Sequence, residues 1–114
     1  VSATLIEPDI PRIRALNDAF RSTFVGGAVV VTPGIETLDA ETRRELLQAV
    51  RDFSTFDHGN DPYMEHDFGE VTLGGSKFFW KIDCYDRRCQ FASPNPADPE
   101  VTTRVLTIMR AEEY

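Results

Sequence analysis

"DFGEVTLGGSKFFWKIDCYD", residues 67–86, decides the fold. Two runs rich in aromatic and β-branched residues flank Gly74-Gly75, and a two-glycine turn supplies the positive φ angles that a tight hairpin requires. With Leu73 paired to Ser76, Val71 falls opposite Phe78, Gly69 opposite Trp80 and Phe68 opposite Lys81. Successive strand side chains alternate between faces. One face therefore gathers Val71, Leu73, Phe78, Trp80, Ile82 and Cys84. The other holds Glu70, Thr72, Lys77, Phe79, Lys81, Asp83 and Tyr85. The first is the core face.

Upstream, Ile13, Leu16, Phe20 and Phe24 recur at spacings of three and four, while Arg14, Asp18 and Arg21 fall elsewhere. That periodicity predicts an amphipathic helix from Pro11 to about Phe24. Proline is well tolerated in a first helical turn, and Asp9 stands just before it. "GGAVVVTPG" then reads as a turn at Gly26-Gly27 followed by a strand over Ala28–Thr32, apolar enough to be buried on both faces. Gly26-Gly27 is no phosphate loop, because it precedes the strand and lacks a following Lys-Ser/Thr pair. A second helix opens at Asp39, with Leu46, Leu47, Val50 and Phe53 as its apolar stripe and Glu41, Arg44, Glu45, Gln48, Arg51 and Asp52 on its wet side.

Beyond the hairpin, "SPNPADPE" (93–100) is a proline-broken loop, and the β-branched density of "TTRVLTIMRAEEY" (102–114) favours a strand through about Met109. The expected fold is α+β, order α-β-α-β-β-β, with two helices packed on a mainly antiparallel sheet of about four strands. Residues 1–114 fit a single domain.

Composition narrows the class. The 41% hydrophobic and 27% charged fractions are those of an ordinary globular chain. No apolar run approaches the roughly 20 residues that span a bilayer, and "VSATLIEPDIPR" (1–12) shows no export signal. A cytoplasmic protein is expected, with no membrane partner. Cys84 and Cys89 alone make no disulfide framework and read as reduced thiols.

Charge is unevenly spread. Residues 36–70 hold three basic against ten acidic side chains, which is the whole net charge of −7. Such a field disfavours direct binding to nucleic acid and favours a protein partner with a basic surface. Glu41, Glu45 and Asp52 are the candidate acidic binding face. The plainer reading is a solvated helix face that keeps the chain soluble.

"NDPYMEHDFG" (60–69) is the candidate functional loop, through Asn60, Asp61, Glu65, His66 and Asp67. Carrying the hairpin register backwards sets His66 across from Asp83 on the face of Lys81. A carboxylate beside an imidazole orients it for acid-base work, so an enzyme would use His66, Asp83 and Lys81. Gly69 offers a place for a bulge that re-aims these groups. The competing reading is an Asp61-Pro62 turn leading into a strand, with His66 and Asp83 an ordinary cross-strand pair. His58, His66 and the acids around them match no metal-ligand spacing, so no metal and no cofactor is expected. No serine lies in a nucleophile elbow.

"NDPYMEHDFG", "FFWKIDCYD" (78–86), "NPADPEVTTRVLTIMRAEEY" (95–114), "RIRALNDAFR" (12–21) and "GGAVVVTPGI" (26–35) together resemble a family of small bacterial proteins catalogued as a domain of unknown function, number 3768. The chain departs from the family's usual wording at Cys84, where a tyrosine is expected, and at His58. The resemblance implies small size, cytoplasmic residence and an accessory role on plasmids and other mobile elements; it supplies no catalytic residues. The expected function is a non-enzymatic protein-binding module, of the kind that inhibits a host defence system such as restriction or CRISPR. The alternatives are the His66 enzyme and a structural homo-oligomer, for which a homo-dimer is one form, pairing through an exposed sheet edge or the Phe68–Phe79 face.

Overall fold

The computed structural model describes residues 7–114; the first six residues of the N-terminal stretch read above for export lie outside them. Asp9 caps the first helix, α1 (Ile10–Thr23), by accepting from the Arg12 amide at 3.2 Å, with proline in the first turn. The helix closes at Phe24, whose φ of 60° is left-handed and whose amide bonds the Phe20 carbonyl at 2.7 Å. The helix is thus capped before Gly26-Gly27. Gly27 is required for another reason: a Cβ there would run into the Arg104 carbonyl and the Phe20 ring.

Strand β1 (Ala28–Val31) follows, then a single helical turn, α2 (Pro33–Glu36), and helix α3 (Ala40–Arg51). The hairpin is β2 (Phe68–Leu73) and β3 (Ser76–Tyr85), and the last strand is β4 (Thr103–Arg110). The hairpin register is the one read from the sequence, from Leu73↔Ser76 to Phe68↔Lys81. Gly69 sits in regular pairing with Trp80 and hosts no bulge; its missing side chain leaves room for the Trp80 indole and the Phe53 ring.

The four strands lie in the order β1-β4-β3-β2. Sheet pairing is antiparallel except that β1 runs parallel to β4, so the sheet is mixed. This placement corrects the expectation of a fully buried first strand. β1 is an edge, and Ala28 and Val30 are exposed. Its apolar run reads like a central strand because its four residues carry no charge, not because both faces are covered. The expected two helices become three with the added turn at Pro33, where Thr32 and Ile35 close a short bonded loop.

Helices cover one face of the sheet. Phe20, Leu46 and Val50 meet Phe78, Trp80, Ile82, Leu106 and Ile108 in one buried cluster. Trp80 is fully buried at its centre, with Phe53 packed edge-on at 5.3 Å. The opposite face carries Phe68, Phe79 and Tyr114 as an aromatic trio with centroids 5.1–5.9 Å apart. No helix among the described residues is long and apolar enough to cross a membrane.

Candidate functional site

Helix α1 presents a second stripe. Arg14, Asn17, Asp18 and Arg21 follow spacings of three and four, which put them on adjoining positions of one helix side. Each reaches out to a neighbouring segment. Arg14 Nη1 donates to the Met64 carbonyl at 3.1 Å, Asn17 Nδ2 donates to the Glu65 carbonyl at 2.9 Å, and Asp18 takes the His66 ring. Arg21 donates to Asp18 at 2.9 Å and to the Phe53 carbonyl at 3.1 Å. Asn17 and Arg21 are buried, and Arg104 Nε donates to Asn17 Oδ1 at 2.8 Å. The helix thereby grips residues 64–66 along their backbone, replacing with side-chain donors the partners these carbonyls would find in water.

The gripped loop is also tied from within. Asp57 Oδ1 accepts from the Gly59 and Asn60 amides, while Asn60 Oδ1 accepts from the Asp57 amide and its amide nitrogen donates to Thr55. Asp61 is buried, and its Oδ1 accepts from the His66 amide at 3.0 Å. Met64 and His66 both hold left-handed backbones, at φ 60° and 54°. Non-glycine residues rarely adopt this region, and two in three positions mark a segment whose shape its surroundings impose.

That backbone decides where His66 points. A regular strand would have carried the ring to the outer face beside Asp83. The left-handed turn sends it under α1 instead. Nδ1 lies 2.8 and 3.0 Å from the two Asp18 oxygens, Nε2 lies 3.4 Å from Asp61 Oδ2, and the ring stacks on Phe56 at 3.7 Å with planes 2° apart. Asp83 pairs at 2.8 Å with Lys81 on the other side of the sheet. The expected trio of His66, Asp83 and Lys81 is therefore not assembled. Carboxylates face both nitrogens of the ring, and the expected partner Asp83 is not one of them. The arrangement is a clasp.

Around it, cation and ring alternate. The Arg21 guanidinium lies 5.4 Å from the Phe56 centroid and 5.2 Å from that of Trp80. Its Nε and the Trp80 Nε1 are buried with no hydrogen-bond partner among the described residues, so the guanidinium meets aromatic faces there rather than oxygens. Two clefts flank the Phe56–His66 stack. One, of about 420 Å³, is lined by Arg14, Asp57, His58, Asp61 and Met64; the other, of about 380 Å³, by Asp18, Arg21, Ser22 and Phe53. Tyr63 and Met64 stand at the loop's crest, 77% and 54% exposed.

Of the remaining loop acids, burial pushes the Glu65 carboxyl above its ordinary range, with repulsion from Asp67 and Asp61 adding to it. Burial likewise raises Asp67, reinforced by Asp61 and Asp83. No cluster of His, Cys, Asp and Glu among the described residues has the makings of a metal site. Both cysteines are free thiols, Cys89 exposed and Cys84 half-buried with its thiol raised by burial. Glu41, Glu45 and Asp52 lie exposed along α3 and its end, where Gln48 donates to both Asp52 oxygens at 3.0 Å.

Sequence reasoning missed Asn17, Asp18, Arg21 and Phe56. One signal pointed to them: Asn17 falls four residues after Ile13 and three before Phe20, inside the apolar stripe, where a polar side chain needs a buried partner.

Residues 31–113 match the model of a family described as "Protein of unknown function (DUF3768)". Neither a curated protein nor a solved structure matches the chain. The family match begins at the last residue of β1, so it takes in Phe56, the gripped loop and the whole hairpin, while the α1 half of the clasp precedes it. As the match covers most of its length, the chain belongs to the DUF3768 family.

Proposed function

We propose that the protein is a small acidic binding module that engages a protein partner through residues 57–66. A single observation carries this reading. Tyr63 and Met64 are exposed at the crest of a loop whose flanking backbone is held by Arg14, Asn17 and the Asp61–His66–Asp18 clasp. An aromatic and a methionine held out on a pre-shaped loop bind without the ordering cost that a mobile loop would bring. Between residues 52 and 76 there are six acids and no Lys or Arg, so the partner that fits is a protein with an apolar pocket rimmed by basic groups. Proteins whose basic channels hold nucleic acid are of that class, which suits an accessory protein that blocks a host nucleic-acid-handling system. The acidic stripe of Glu41, Glu45 and Asp52 would steer the approach rather than anchor it.

The test is capture from a host lysate at low and moderate salt, with immobilised wild type beside Y63S/M64S and E41K/E45K/D52K. A specific partner should be lost with the loop variant at both salts and weakened with the charge variant mainly at low salt. Undiminished capture by Y63S/M64S would remove the loop from the interface.

A further inference from the structure

The sheet has two edges, and they are finished differently. Edge β2 carries Glu70, whose carboxylate lies 4.0 Å from Lys77. Charges of this kind discourage strands from adding to an edge. Edge β1 carries none. From Phe24 to Ile35 the chain has no ionisable side chain, although the whole protein bears −7.

The backbone of β1 shows what it offers. The Thr32 amide donates to the Ile108 carbonyl of β4. In a parallel ladder each bonded residue turns both its N–H and its C=O toward the same neighbour, and alternate residues turn theirs away. Val30 and Ala28 therefore share the orientation of Thr32. Val29 and Val31 direct their amides and carbonyls outward, where no hydrogen bond reaches them among the described residues. Val30 is 45% exposed and Val25 75%.

We propose that β1 pairs with β1 of a second copy, antiparallel about a two-fold axis at Val30, joining two four-stranded sheets into one of eight. Centring the axis on Val30 sets Val29 opposite the second copy's Val31, and Val31 opposite the second copy's Val29. Each pair exchanges two N–H···O bonds, so the four outward groups on each strand are satisfied. The Val30 side chains then meet at the closer, non-hydrogen-bonded position. Charge selects the occupant. A second copy bears the same −7 and meets it at long range anywhere, but at this edge no like charges are brought face to face. A basic partner finds nothing there to pair with. The two-fold uses up the edge, so association stops at two. The pairing lies on the edge opposite β2 and the loop that leads into it, and does not depend on what that loop binds.

Sedimentation across about 5 to 500 μM reads the association, because so short an edge makes a small interface of the weak class. Wild type should pass from monomer toward dimer with rising concentration, and V30K should remain monomeric with unchanged circular dichroism. A cross-link gives the register: opposed residues at a non-hydrogen-bonded antiparallel site stand about 4.5 Å apart at Cα, within disulfide range. In a C89S background, V30C should oxidise to a linked dimer at least tenfold faster than T72C on the other edge. A wild type that stays monomeric throughout, assembly beyond the dimer, or equal oxidation of V30C and T72C would each overturn the proposal.

Discussion

The Asp18–His66 contact under the helices and the Lys81–Asp83 contact on the open face have the same closest approach, 2.8 Å. They differ in nearly everything else. His66 is three-quarters buried, stacked on Phe56 and faced by a second, buried carboxylate, and Asp18 is shared with a buried arginine. Lys81 and Asp83 are two residues apart on one strand face, each more than a third exposed at its side chain. A distance alone ranks the two equally. Water does not, since it reaches both partners of the outer pair, whereas in the inner contact it reaches only Asp18, whose side chain is 39% exposed, while His66, Asp61 and Arg21 are shielded.

Removing Arg21 should have the largest effect. R21A takes away a donor to Asp18, a donor to the Phe53 carbonyl and a cation filling the gap between Phe56 and Trp80. Buried groups left unpaired make such losses large, and a drop of about 2–4 kcal/mol is expected from urea unfolding. A loss below about 1 kcal/mol would place this cluster with ordinary surface pairs.

Next comes His66, where two causes separate. Both H66A and H66G lose the stack and the ring nitrogens that face Asp18 and Asp61. Only glycine accepts φ of 54° without a Cβ penalty. H66G should therefore be the more stable of the two by about 1 kcal/mol, against the usual order of the two residues. Equal stability would mean that the backbone relaxes out of the left-handed region once the ring is gone.

The contrast also explains what was legible in the sequence. The hairpin register was readable because a two-glycine turn and a period of two leave one pairing that buries Trp80. The same rule, extended three residues past Gly69, sent His66 to the wrong face. Alternation holds only while the backbone stays extended, and nothing in "YMEHDF" announces left-handed residues at Met64 and His66. Arg21 falls off the apolar stripe, and its burial is not legible there, because the period of a helix says which residues share a side, not which side a later loop will cover. For β1 the limit was different: four apolar residues describe a centre strand and an uncharged edge equally well. The turn at Asp61, by contrast, rests on local chemistry, and its carboxylate does accept a backbone amide farther along the chain.

Glu65 and Asp67 sharpen the comparison through pH. Their carboxyls are raised by burial in the folded protein, so folding favours the protonated form. Their stabilising effect is complete below the ordinary carboxylate range and is lost as pH climbs through the raised values. At neutral pH both charges are a liability. E65Q and D67N should each raise the urea midpoint at pH 7, by an amount equivalent to a few tenths of a kcal/mol, with the gain vanishing near pH 3. A gain that persists in acid would point to packing rather than charge.

A comparably small effect belongs to the outer pair. Its hydrogen bond to Asp83 raises the Lys81 ammonium above the ordinary lysine value. The sign is the same as for the loop acids, but the range is alkaline: the contribution is complete below the ordinary lysine value, so it is fully present at neutral pH, and fades only as pH rises through the raised one. At neutral pH a double-mutant cycle with K81M and D83N should return a coupling of about 0.2–1 kcal/mol at low salt. Raising ionic strength to about 1 M shortens the screening length to roughly 3 Å and should remove most of it. The same cycle on Asp18 and Arg21 should keep most of its coupling in salt, because Arg21 is buried beneath the loop and ions do not reach its side of the contact. Equal salt sensitivity in the two cycles would show that the α1 clasp is open to solvent, and the rigid presentation of Tyr63 and Met64 would lose its physical basis.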